Sequence, residues 1–221
     1  MSERGRPRAQ RPLARRFATA LGILVCWGVA GYGLVAYTTI EFGALVHPEM
    51  KAGYAAHPWA IRLHIFASCT ALLLGPLQFL KNWRRRHPKL HRAFGSLYLG
   101  VGILVGGGSG LIVATRAYGG WVAQSGFVLL AVLWLYTGLR AFLFIRRHDF
   151  AQHGRWMAYN FALTLAAVTL RVYLPLSMAS GIPFDTAYPI IAWLCWVPNL
   201  AYALWSQRPA ARLARAAAGS S

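Results

Sequence analysis

The amino-acid sequence predicts an all-α integral membrane bundle of about six transmembrane helices, with the N- and C-termini both cytoplasmic. Three observations predict it. Apolar residues make up 57% of the chain and charged residues only 13%, where a soluble domain averages about 25% charged. The formal net charge is nevertheless +18. The basic residues sit in clusters separated by long apolar runs, rather than spread over a surface as in a nucleic-acid binder. Nucleic acid is therefore excluded as a partner, and membrane lipids are expected instead.

Taken in order, residues 1–16 form a basic tail expected to be disordered, carrying Arg4, Arg6, Arg8, Arg11, Arg15 and Arg16. The first apolar run, 17–39, is longer than a signal-peptide core of about 7–15 residues and reads as a retained helix. Further runs follow at 58–80, 93–115, 121–145, 156–178 and 187–206. Each approaches the ~20 residues that cross ~30 Å of hydrocarbon as a helix, and all exceed the ~4–8 of a buried strand. A second basic tail, expected to be disordered, occupies 207–221.

Orientation follows from the charges. The N-terminal tail, the loop with Lys81, Arg84, Arg85, Arg86, Lys89 and Arg92, the loop with Arg146, Arg147 and Arg155, and the C-terminal tail with Arg208, Arg212 and Arg215 share one side. Only Lys51 and Arg116 fall on the other, while Arg62, Arg140 and Arg171 lie within helices. Basic loops stay inside during insertion, so the clustered side is cytoplasmic. Trp59, Trp83, Trp121, Trp156 and Trp205 fall at segment ends, where an indole N–H stays wet. Cys26, Cys69 and Cys195 have no close-spaced partner and read as buried thiols rather than a disulfide or zinc framework.

Polar residues inside the bilayer are costly unless they face protein or water, so they mark the candidate site. On the fifth helix His153, Asn160, Thr164 and Arg171 share one face. His64, Ser68, Gly75 and Gln78 do the same on the second. The two helices run antiparallel and their polar stripes match in depth, His64 with Arg171 and Gln78 with Asn160. That match predicts that the helices are neighbours. The third helix adds His91, Gly95, Tyr98 and Gly102 on one face, then a glycine ridge at Gly102, Gly106 and Gly110 that suits close helix packing, or room for a flat cofactor or lipid tail.

Several of these elements occur together: His64; Leu74-Gly75-Pro76-Leu77-Gln78-Phe79; His91-Arg92 with Gly95 and Tyr98; His153 with Trp156-Met157 and Asn160; and Thr169-Leu170-Arg171 with Leu174-Pro175. In this combination the chain resembles a bacterial membrane family known as domain of unknown function 2306, over roughly residues 60–176. The resemblance implies a polytopic protein of the bacterial inner membrane and brings no established activity. It departs at Tyr159, where the family often carries a basic residue.

Three function classes follow. Haem b or a metal held for electron transfer would use His64, His91 and His153 as ligands, with Arg171 free to bind a propionate. A non-catalytic assembly, scaffold or lipid-binding component, working alone, as a homo-oligomer or with other membrane proteins, would use the same residues as snorkelling groups. A transporter fits less well, because ion-coupled carriers generally place a carboxylate in the membrane and this chain has none there. No H-E-x-x-H, G-x-S-x-G or phosphate-binding Gly-Lys-Ser/Thr motif occurs, which leaves other enzyme classes without footing.

Overall fold

A computed structural model describes residues 13–44 and 46–208; most of both predicted tails lies outside them. Among the described residues every regular element is helical and none is a strand. Among the described residues six helices are long and apolar enough to cross a membrane: Arg16–Thr39, Pro58–Gln78, Pro88–Ala114, Gly120–Arg146, Phe150–Ala179 and Phe184–Ser206. The protein is a multi-pass membrane protein. The arginine-rich turns after the second and fourth spans lie at one end of the bundle, called here the basic side; the opposite end is the distal side.

Two spans begin earlier than hydropathy predicts. The third starts at Pro88, with proline in its first turn, where a missing N–H costs nothing. The fifth starts at Phe150 behind Asp149, whose side chain accepts from Gln152 N at 2.9 Å. Both first turns are polar and basic, which hides them from an apolar-run criterion. The consequence matters for the site: His91 and His153 are helical residues, not loop residues outside the spans.

The second and third spans are held by their small residues. Built Cβ atoms on Gly102, Gly106 and Gly110 would meet Ala71 at 2.9 Å, Ala67 at 3.3 Å and the His64 ring at 2.7 Å. These three contacts step antiparallel along the two helices and fix their register. Gly75 plays the same part between the second and fifth spans, where a Cβ would meet the Phe161 ring at 2.6 Å. The first span is tied to the second by Trp27, whose Nε1 donates to the Leu73 carbonyl at 3.0 Å. Arg140 lies over Trp156 at 4.7 Å and donates to the Tyr136 hydroxyl at 3.0 Å, so this intramembrane cation is held by aromatic faces.

Three spans are interrupted near mid-membrane. The third runs as a π-helix from Tyr98 to Val105. The fifth breaks at Leu165, one residue after Thr164, whose hydroxyl donates back to the Asn160 carbonyl at 3.1 Å and loosens the ladder there. The sixth breaks at Cys195–Trp196, ahead of Pro198, which has no N–H to continue the helix.

Candidate functional site

The centre of the bundle is a buried polar network. Asn160 has no exposed surface. Its Nδ2 donates to the Trp134 carbonyl at 2.7 Å and to Thr137 Oγ1 at 2.9 Å. Its Oδ1 accepts from the Tyr98 hydroxyl at 2.8 Å, and that hydroxyl also lies 2.8 Å from Thr164 Oγ1. Trp134 Nε1 donates to the same threonine oxygen at 2.9 Å. The third, fourth and fifth spans are thereby joined at one level, with each polar atom answered by another, as an apolar surround requires.

Above this network, on the distal side, the spans part around a cavity of about 750 Å³. Thr164 and Trp134 line it, and so do His64, Ser68, Arg116 and Arg171. All six spans contribute walls, mostly apolar. The volume falls within the ~300–1,000 Å³ of small-molecule sites. Aromatic rings gather at its distal end: His47 stacks on Phe184 at 3.8 Å between centroids, Phe184 on Tyr188 at 5.1 Å, and the Tyr37 and Tyr54 hydroxyls meet at 3.1 Å. Burial, reinforced by Tyr37, pushes the Tyr54 hydroxyl far above its ordinary range, with Arg171 pulling the other way.

His64 is held by one nitrogen. Nδ1 lies 2.8 Å from the Gly106 carbonyl, an acceptor only, so Nδ1 carries a proton, and in the neutral ring Nε2 keeps its lone pair. Ser68 Oγ is buried with no hydrogen-bond partner. Arg171 Nη1 donates to the Ala167 carbonyl of its own helix at 3.1 Å. Among the described residues no Asp or Glu lines the cavity; Glu49 and Asp185 lie near Tyr118 at its distal end, and Arg116 and Arg171 are the charged groups of the lining. Such a chamber can hold an apolar body together with an anionic group.

The site residues read from sequence thus divide into three places. His64 and Arg171 line the same cavity, as their matched depth predicts. Tyr98, Asn160 and Thr164 form the network beneath it. Gln78, His91 and His153 lie at the basic end, outside the cavity lining. There His153 Nδ1 meets the Ala141 carbonyl at 2.9 Å, while His91 Nδ1 is buried and unpartnered. His91 and His153 are close enough to influence each other electrostatically, yet they are not ranged with His64 about one chamber. Among the described residues no cluster of three or more His, Cys, Asp or Glu side chains could hold a metal ion.

Asn160 and Gln78, matched in depth on paper, do not meet as partners: Asn160 is satisfied by Tyr98, Trp134 and Thr137, and the Gln78 oxygen lies against Gly95. Trp134, Thr137 and Arg116 were not singled out by the sequence reading. Trp134 carried a usable signal, because a tryptophan at mid-span is out of place in an interface belt and implies a buried partner for its N–H.

Comparison with known proteins gives one positive result. The family described as "Predicted membrane protein (DUF2306)" matches residues 61–205, about two thirds of the chain, and so takes in the network, Arg171 and most of the cavity walls. No curated protein and no solved structure matches.

Proposed function

We propose that this chain, which belongs to the DUF2306 family of predicted membrane proteins, is a ligand-binding component of a bacterial inner membrane whose distal cavity holds an amphipathic anion. One observation carries the reading: a largely apolar chamber spanned by all six helices contains two arginines and no carboxylate. Arg171 is partly withdrawn from solvent inside a membrane span and Arg116 is exposed at the distal end, so an anionic ligand headgroup entering from that end would find both as counter-charges. Ser68 and the His64 Nε2 add a donor and an acceptor at the wall, which suits a headgroup with polar atoms beyond its charge. The positive-inside rule places the basic side in the cytoplasm, so the cavity belongs to the outer half of the membrane.

The test is binding of a fluorescent long-chain carboxylate to the detergent-purified protein. Arg171→Gln should weaken it by about 10- to 100-fold, the equivalent of one charge-assisted hydrogen bond worth ~1.5–3 kcal/mol. Equal binding by the variant and the native chain would overturn the assignment.

A second reading, haem b, is favoured by one specific contact. The Gly106 carbonyl fixes the His64 tautomer that leaves Nε2 free, the arrangement of a metal-ligating histidine. Haem is itself an amphipathic anion, and Arg116 and Arg171 would then meet its propionates. Protein from haem-replete cells would show a Soret band that His64→Ala removes and His91→Ala leaves; a colourless preparation would dismiss haem and leave the amphiphile.

A further inference from the structure

A second cluster, on the basic side, is independent of the distal cavity. Gln78 ends the second span as a residue only 6% exposed, and its Nε2 has no hydrogen-bond partner among the described residues. His91, in the first turn of the third span, has a buried Nδ1 that also lacks one. Both lie at the basic end of the second and third spans, which pack together there. Gln78 Oε1 lies 3.4 Å from where a Cβ on Gly95 would sit, and Gly95 is one turn beyond His91 on the same face. The Trp83 and Phe94 rings, stacked at 5.6 Å, fold the short helix Lys81–Arg86 against the start of the third span.

The surroundings carry one sign. Arg84, His153 and Arg92 are all near enough to act on His91 electrostatically. The one carboxylate among the described residues of this side, Asp149, is occupied capping the fifth span. A buried amide NH₂ accepts nothing, so what it lacks is an acceptor. An imidazole nitrogen can donate to the same group, and the flanking guanidinium groups favour one that is negatively charged. The residues therefore ask for a guest with several acceptor oxygens and no need of a donor.

We propose that Gln78 and His91 bind a phosphate group, with Arg84 and Arg92 balancing its charge. The phosphate is either the headgroup of a phospholipid in the adjacent leaflet or a free ion from the aqueous phase on that side. Fixed between the ends of two spans, it ties the arginine-rich turn to the bundle.

Thermal unfolding of the full chain in lipid-free maltoside micelles tests this, with phosphatidylglycerol or inorganic phosphate added, each against sodium chloride at matched ionic strength. One of the two should raise the melting temperature of the native chain and of Arg146→Gln, whose charge lies outside the cluster. Gln78→Leu and His91→Leu should each weaken the apparent affinity by at least about tenfold. A gain with phosphatidylglycerol alone identifies the lipid as the source, and a gain with inorganic phosphate identifies the free ion. No gain with either probe, or a gain undiminished in Gln78→Leu, would overturn the proposal and leave a buried water as the guest. Gln78→Leu removes an unpartnered donor, so it should fold at least as well as the native chain without ligand, and its loss of response then reports binding.

Discussion

Removing the Tyr98 hydroxyl probes the central network at its junction. In Tyr98→Phe the ring stays, packed against Gly75, and two hydrogen bonds are lost, to Asn160 Oδ1 and Thr164 Oγ1. Thr164 keeps the Trp134 donor, and its one proton, shared in the native chain between the Tyr98 oxygen and the Asn160 carbonyl, passes wholly to the carbonyl. Asn160 Oδ1 keeps nothing, in a side chain with no exposed surface. Hydrogen bonds within membrane proteins average ~0.6 kcal/mol, so the two bonds together account for about 1 kcal/mol. The stranded carbonyl oxygen adds a desolvation cost of ~1–3 kcal/mol at full burial. The expected destabilisation is about 2 kcal/mol, most of it from the stranded oxygen. That origin has a signature. In Asn160→Leu no oxygen remains to be stranded, so adding Tyr98→Phe there should cost only the ~0.6 kcal/mol of the Thr164 bond. Reversible unfolding in mixed dodecyl sulfate–maltoside micelles measures all four corners of the cycle. A Tyr98→Phe cost below about 0.5 kcal/mol, or an equal cost in both backgrounds, would refute the reasoning.

Other outcomes follow from the same geometry. Gly102→Ala should destabilise the bundle by about 1–3 kcal/mol in the same assay, because its Cβ would meet both the Cβ and the backbone of Ala71; Gly108→Ala on the same helix meets nothing within 4 Å and should be near neutral. Gly110→Ala should drive the His64 ring off the Gly106 carbonyl and impair cavity binding more than folding, read as a loss of carboxylate-probe affinity at a nearly unchanged melting temperature. Tyr54 holds its proton more tightly folded than unfolded, so its contribution is complete below the ordinary tyrosine pKa near ~10 and is lost as pH rises beyond it. Tyr54→Phe should flatten the fall in stability between about pH 10 and 11.5. Reporter fusions after Arg86 and Arg147 should read cytoplasm and those at Ala55, Tyr118 and Gly181 the exterior; an exterior signal at Arg86 would invert the assignment of sides.

Much of the fold was legible because the bilayer sets the rule: a span must be long, apolar and helical, and six runs satisfy it. The starts of the third and fifth spans were misplaced because Pro88-Lys89-Leu90-His91-Arg92 and Phe150 to Arg155 are polar turns of apolar helices. Their caps, Pro88 and Asp149, were visible but weaker than the hydropathy signal. Helical spacing on single strands of sequence found His64 and Arg171, which meet at one cavity, and Tyr98, Asn160 and Thr164, which meet in one network. It could not show that these are different places. The fifth span breaks at Leu165, so the face shared by Asn160 and Arg171 in an ideal helix is divided between the network and the chamber above it. Nor could it show the fourth-span partners Trp134 and Thr137, since nothing in a stripe on one helix says which residues across the gap will answer it.

The interruptions of the third, fifth and sixth spans carry a mechanical consequence. A continuous helix behaves as a stiff rod, and a tilt at one end is felt at the other. A rod jointed at mid-depth does not transmit that tilt. The interruptions at Tyr98–Val105 and Leu165 fall at the polar network, which clamps the third, fourth and fifth spans together at the same level. The distal segment of the sixth span is tied instead to the fourth, where Trp193 Nε1 donates to the Val122 carbonyl at 3.0 Å, so the upper half of the bundle has a fastening of its own. The chamber above the network and the packed half below it are thus fastened by separate sets of contacts.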